Sequence, residues 1–319
     1  MRKAPFFLLC IFLLAFSLFI LFRARPGRNF NTQDEQGTTY LELWQVDTFE
    51  GGTGSRTSFV QSVSRDYAKQ SNVKVIVKSQ TPLSCEQNFK NGIYPDLISY
   101  GNGLKLPYGE LIQFNAKNTE DAQSIYAKAW CHGGYVLISR KNVTCDGVII
   151  STQENTIPLI AYNLSNLKYN IFCQEESTNA IYTFYSNQNK ALLGTQRDLY
   201  RLLNKGLDLQ IQPLCEYSDL YQYISILCPD ESKINSARAF IDYLTSEEVA
   251  GKLYKIGMLP CKAEYSLKFE YPLDVYAKVS WEYTTECLLP PEKLKKLQEM
   301  AQKYQQNSES IKNALKRLK

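Results

Sequence analysis

Apolar and polar positions along this chain switch between a two-residue and a helical period, and the alternation predicts an α/β protein. The run YLELWQV, Tyr40 to Val46, reads as a strand and stops at Asp47, where a polar, glycine-rich loop begins. From about Ser55 to Gln70 the apolar positions Phe59, Val60, Val63 and Tyr67 share one helical face. VKVIVKS (73–79) returns to clean alternation, and YPDLISYG (94–101) reads as a short buried strand. Such a β-α-β start is expected to be right-handed with parallel strands. Further strands are predicted over 133–139, 156–162, 190–195 and 221–227. Helices are predicted over about 175–188, from Gln196, over Ser232–Leu244 and Ser246–Gly257, and from Pro291 onward. In the last, proline opens the helix and Leu294, Leu297, Met300 and Tyr304 form a packing stripe. Thr245 to Glu248 reads as a capping box.

At 319 residues the chain exceeds one ordinary domain, so two domains or two lobes around a cleft are expected. Its first stretch is separate in character. Residues 4–22, APFFLLCIFLLAFSLFILF, are nearly all apolar and follow Arg2 and Lys3. At ~1.5 Å per residue they reach about 28 Å, close to the hydrocarbon thickness of a bilayer. A cleavable signal peptide has a shorter apolar stretch and a small-residue cleavage site, which FRARPG does not supply. Residues 1–26 are therefore expected to be an uncleaved transmembrane anchor and 27–38 a polar linker. Arg23, Arg25 and Arg28 offset Arg2 and Lys3, so the charge flanks hardly orient it.

Charge and rare residues narrow the chemistry. The net charge is +4, from 36 Lys+Arg and 32 Asp+Glu, with part of the excess at the two ends. No basic stripe crosses the middle, so no nucleic-acid partner is expected. A single histidine, His132, would have to carry any Ser-His-Asp, His-metal or imidazole acid/base chemistry. It reads instead as a hinge-region packing residue, and neither an enzyme, a metal site nor a cofactor is expected. Of nine cysteines, eight lie in the body and none forms a C-x-x-C pair, which argues against zinc ribbons and thioredoxin-like chemistry. Disulfides and buried free thiols both remain open.

The segment Asp47 to Arg56 holds the main candidate chemistry. A turn needs about two to five residues and rarely so many different polar groups, so this one reads as a binding loop. Its glycines let backbone amides approach a ligand at a helix N-terminus. Glu50, Thr53, Ser55 and Arg56 are the candidate contacts; the plain alternative is a helix cap, which stabilises by ~1 kcal/mol without a ligand. Tyr100 and Asn102 follow a strand end and could line a cleft or form a turn. Trp130 could be core or a stacking surface, and Tyr221 core or cleft lining. Gln196 and Arg197 open a helix straight after a strand and could contact a ligand or lie on a surface helix.

Four stretches together resemble the extracellular solute-binding proteins of ABC importers, of the maltose/oligosaccharide-binding type. They are LWQVDTFEGGTGSR (43–56), YPDLISYG (94–101), AWCHGGYVLISRK (129–141) and NSARAFIDYLTSEEVAGKL (235–253). The resemblance implies a two-lobed, periplasmic-binding-protein-like (type II) fold with a central cleft. Lobe 1 would comprise 39–132 and 222–319, the C-terminal helices included, and lobe 2 residues 133–221. It also implies an extracellular body at the cell membrane, capture of a small polar ligand such as a sugar or oligosaccharide by hinge closure, and hand-over to ABC permease subunits. The sequence departs from the pattern at Gly194-Thr-Gln196-Arg197, where sugar-binding members carry Gly-x-Trp; an aromatic platform is lost and a cation gained. The lipobox is missing as well. A non-transport sensor or interaction protein on the same fold therefore stays open.

Overall fold

The computed structural model describes residues 37–114, 125–165, 167–214, 216–228, 230–261, 271–276, 283–284, 289–305 and 307–318. The apolar segment 4–22 lies outside them, and among the described residues no helix is long and apolar enough to cross a membrane.

The chain begins its first sheet as its pattern requires. β1 (Thr39–Val46) buries Leu41, Leu43, Trp44 and Val46. α1 (Arg56–Ala68) turns Phe59, Val60, Val63 and Tyr67 inward, and Ser55 caps it by accepting from the Ser58 amide at 3.2 Å. β2 (Val73–Gln80), α2 (Pro82–Lys90) and β3 (Leu97–Tyr100) complete two β-α-β steps, with Leu43 of β1 parallel to and opposite Leu97 of β3. β4 (Lys128–His132) then leads through Gly133 and Gly134 into β5 (Tyr135–Arg140).

The second sheet follows in β6 (Gly147–Thr152), α3 (Pro158–Leu164), β7 (Ile171–Glu176), α4 (Ser177–Ser186), β8 (Lys190–Thr195), α5 (Gln196–Leu203) and β9 (Leu209–Leu214). After the short β10 (Tyr217–Ser218), β11 (Tyr221–Ile226) returns to the first sheet, antiparallel to both β3 and β4. The two five-stranded sheets run β2-β1-β3-β11-β4 and β7-β6-β8-β5-β9. β6 lies parallel to β7 and β8, while β5 lies antiparallel to β8 and β9. α6 (Ile234–Leu244) and α7 (Glu247–Ala250) follow, then β12 (Tyr283–Thr284), α8 (Pro291–Lys303) and α9 (Ser308–Leu318).

Two local expectations differ from the structure. Residues 156–162 were expected as a strand, but Pro158–Leu164 is helical and every residue in it is buried. A short run buried on all sides carries no period to tell strand from helix, and Pro158 in the first turn suits a helix start. The capping box expected at Thr245 is not formed: the Thr245 hydroxyl donates back to the Ile241 carbonyl at 2.9 Å, and Ser246 caps α7. A complete box is present at Thr195 and Asp198, opening α5. The helices from Pro291 onward pack on α3, where Asn163 Nδ2 donates to the Ala301 carbonyl at 3.3 Å.

Candidate functional site

The loop after β1 is held from within its own half. Gly52 has φ +70°, and a Cβ there would sit 1.9 Å from the Ile256 carbonyl oxygen. That close approach lets the next amide, Thr53 N, donate to the same oxygen at 2.9 Å. Arg56 then folds back over the loop. Its Nε lies 3.0 Å from Asp47 Oδ1, Nη2 donates to the Phe49 carbonyl, and the guanidinium carbon sits 4.3 Å from the centre of the Phe49 ring. Asp47 Oδ1 also accepts from Gln45 Nε2 at 2.9 Å. Arg56 is 4% exposed, yet its Nη1 is buried without a hydrogen-bond partner, and so is Thr48 Oγ1.

The second half meets this loop through Glu50. The Glu50 amide donates to Gln153 Oε1 at 2.7 Å, just beyond the end of β6. Its Oε2 lies 3.0 Å from Arg197 Nε and 2.9 Å from Arg201 Nη2, both on α5. Gln153 Nε2 is buried and unpartnered. Between the two halves lies a cavity of ≈ 590 Å³, walled by Asp47–Gly51 and Thr53–Arg56 on one side and by Gln153, Glu154 and Arg197 on the other. This volume falls within the ~300–1,000 Å³ typical of small-ligand sites. A second cavity, ≈ 360 Å³ beside Cys145 and Gln210, lies within the second half alone.

Asp198 positions the two arginines. It is fully buried, with Oδ1 accepting from Ser177 Oγ at 2.6 Å and Oδ2 from Ser151 Oγ and the Thr195 amide at 3.0 Å each. Burial pushes its carboxyl above the ordinary range, against the pull of those donors. The ends of β6 and β8 and the starts of α4 and α5 are thus fixed on one carboxylate. Arg201 is tied in as well, donating to Ser177 Oγ at 2.9 Å.

Of the residues singled out in the sequence, Glu50, Thr53, Ser55, Arg56 and Arg197 line the cavity and Tyr100, Asn102, Trp130, Gln196 and Tyr221 do not. Trp130 stacks on Phe59 with ring centres 6.0 Å apart, and its indole N–H donates to Ser99 Oγ. Tyr100 is buried with its hydroxyl 3.0 Å from Ser225 Oγ. Asn102 donates to the Asp219 carbonyl at 2.9 Å. Gln196 packs against the crossover, its Oε1 accepting from the Gly134 amide at 3.0 Å. Tyr221 stacks on His132 with ring centres 5.1 Å apart.

The crossover holds two titratable groups that the cavity does not use. Burial pushes the His132 imidazole down to about 4, which leaves it neutral. Asp219 accepts from the Tyr135 hydroxyl, the Ile157 amide and the Tyr217 hydroxyl at 2.7, 2.7 and 3.2 Å, and burial lifts its carboxyl to about 6. Among the described residues no cluster of three or more His, Cys, Asp or Glu could hold a metal, and Cys85, Cys131, Cys145, Cys173, Cys228 and Cys261 are free thiols. Cys215 and Cys287 lie outside the described residues.

Gln153 and Arg201 were not singled out in the sequence, and Asp198 reads there only as a pairing residue on a surface helix. Arg201 stands one turn after Arg197 on α5, the spacing that puts both on one face. Gln153 offers no such signal, since its partner Glu50 is 103 positions away.

No protein-family model and no curated relative matches the chain. Solved structures share its fold. The sugar-binding protein MalE from Xanthomonas citri superposes with a TM-score of 0.59 at 11% identity, over 88% of this chain and 95% of that one. The ABC substrate-binding protein Lmo0181 from Listeria monocytogenes, solved with cycloalternan, gives 0.56 at 13% identity over 88% and 98%. A two-component system protein described as mediating signal transduction gives 0.53 at 12% over 80% and 99%. At these identities the likeness is one of fold: two α/β sheets joined by crossovers, as in ABC solute-binding proteins.

Proposed function

We propose that this chain is a non-enzymatic solute-binding protein that closes its two halves over a small polar ligand and delivers it to an ABC importer. One observation carries the reading: a single cavity has walls from both halves of the fold, and Glu50 of one half bonds directly to Gln153, Arg197 and Arg201 of the other. A ligand touching both walls favours the closed arrangement by its differential affinity for the two states. Glu50, Thr53, Ser55, Arg56 and Arg197 are the proposed ligand contacts. A carbohydrate is the finer reading of the ligand, and the finer reading of location is an extracellular body held at the membrane through residues 4–22. The carbohydrate and the extracellular side rest on the sequence resemblance, and the anchor on the apolar run 4–22.

A sensor on the same fold is the second reading. It is favoured by the resemblance's aromatic position being held by Gln196, with the cation Arg197 beside it, and by the fold shared with a signalling protein. Thermal unfolding of the full chain against sugars, oligosaccharides, amino acids and anionic metabolites tests the shared claim. A ligand at ~100 times its Kd stabilises by about 2.7 kcal/mol, which for a chain this size is roughly 5–10 °C. A shift of that size with one chemical class supports the reading, and a flat response across the panel contradicts it.

A further inference from the structure

We infer that Gln196 is a positioning residue for closure: its side chain braces the outbound crossover at Gly133–Gly134 and ties that hinge to both walls of the cavity. The inference rests on the reading that the two halves close over a solute, and it names the residue that sets their closed angle.

The outbound crossover is a pair of glycines, the residue type that absorbs backbone rotation most freely. In the structure every peptide group of the pair is engaged. The Gly133 amide donates to the Leu220 carbonyl at 2.7 Å, and the Gly133 carbonyl accepts from Ser218 Oγ at 3.1 Å. The Gly134 carbonyl accepts from the Tyr276 hydroxyl at 3.2 Å, and the Gly134 amide donates to Gln196 Oε1 at 3.0 Å. Of these four bonds only the last leads to α5, the helix that carries Arg197 and Arg201. Gln196 is fully buried and lies hard against the hinge: a Cβ at Gly133 would sit 2.5 Å from its Nε2 and 2.8 Å from its Oε1.

The other end of the same amide reaches the first half. Gln196 Nε2 lies 3.5 Å from Sδ of Met258, the residue before Leu259, whose amide and carbonyl pair with those of His132 at 2.9 Å each. Met258 also packs on the loop after β1. A Cβ at Gly51 would sit 3.3 Å from its Sδ, and the Thr53 amide donates to the Ile256 carbonyl two residues earlier. Gln196 thus touches one cavity wall through Met258 and Gly51, and carries the other in its chain neighbour Arg197. Opening the halves turns Gly133 against the packed amide and draws Met258 away from Nε2, which is then a buried donor without a partner. The closed setting keeps both contacts and is favoured by them.

The test is the distance between the halves in the full chain without ligand. It is read by single-molecule energy transfer between dyes on azido-phenylalanine placed at Leu83 of α2 and Tyr182 of α4, which are 67% and 73% exposed. Gln196→Ala should lower the closed-to-open ratio about 3- to 10-fold, the worth of one hydrogen bond. Gly133→Ala should act in the same direction, because its new methyl displaces the Gln196 amide. In the double variant the methyl meets no amide, so the ratio should match that of Gln196→Ala alone. Unchanged distances in both single variants, with only the urea midpoint lowered, would reduce Gln196 to core packing and overturn the inference. Effects that add in the double variant would overturn it as well. The thermal panel reads the solute separately: a flat panel beside widened distances contradicts the solute and leaves the hinge brace standing, and a responsive panel beside unchanged distances does the reverse.

Discussion

Glu50 and Arg201 meet across the cleft, carboxylate Oε2 to guanidinium Nη2 at 2.9 Å, although 151 positions separate them in the chain. The pair joins the loop after β1 to α5 and is half exposed, so it is a latch more than a source of stability. Glu50→Ala should lower the unfolding free energy by no more than ~1 kcal/mol, the usual worth of an exposed ion pair. It should shift the chain toward the open form, read as a larger radius of gyration by small-angle scattering. An unchanged radius would show that the backbone bond to Gln153 holds the closed form without the ion pairs.

Arg56 should behave differently because it is buried. Arg56→Ala removes the bond to the Phe49 carbonyl, the pairing with Asp47 and the cover over the Phe49 ring. A loss of about 2–3 kcal/mol by urea unfolding is expected, less than for a fully buried pair because Asp47 remains partly solvated. Adding Asp47→Asn should recover part of that loss, and strictly additive effects would contradict the coupling.

Asp198 is the fixed point beneath the two arginines. Asp198→Ala leaves the Ser151 and Ser177 hydroxyls and the Thr195 amide without their acceptor and dismantles the α5 cap. The expected cost is about 2–4 kcal/mol, with weakened ligand response because Arg197 loses its support. Asp198→Asn, which keeps an oxygen at the site, should cost less. Equal losses would mean that the cap geometry is unimportant.

How far the sequence carried this picture depends on where each residue's partners lie. β1, its loop and α1 were legible because alternation, capping and a helical face fall within one short segment. β9, LQIQPL, was passed over: Pro213 interrupts the run, as the edge of a sheet allows, and β9 is the edge strand beside β5. α3 was misread because complete burial erases its period. In the site, the Asp47–Arg56 loop was readable from its polar content. Trp130, a candidate stacking surface, stacks on Phe59 and donates to Ser99, and Tyr100, a candidate cleft-lining residue, turns its hydroxyl to Ser225 inside the sheet. Gln153 and the cross-cleft role of Arg201 depend on contacts between sheets, which no local pattern encodes.

The crossover gives opposing pH dependences. Asp219 is raised from 3.8 to about 6, so the folded state holds a proton that the unfolded state has released; its contribution is full below pH 3.8 and lost as pH rises toward 6. His132 is lowered from 6.5 to about 4, so its contribution is full above pH 6.5 and lost as pH falls toward 4. Each is worth about 3 kcal/mol, and over pH 4–6 they largely cancel. Relative to wild type, His132→Gln should gain stability as pH falls from 6 to 4, while Asp219→Asn should lose it. Urea midpoints across that range check the signs, and parallel profiles for all three proteins would contradict both shifts.

The most direct test of the account is hydrogen–deuterium exchange on the full chain with and without the compound that gives the largest thermal shift. Protection should rise together at residues 47–57, 153–154 and 196–201, the two walls of the cavity and the helix start that carries Arg197 and Arg201. Protection confined to one half, or centred on the cavity beside Cys145, would contradict a ligand held between the two halves.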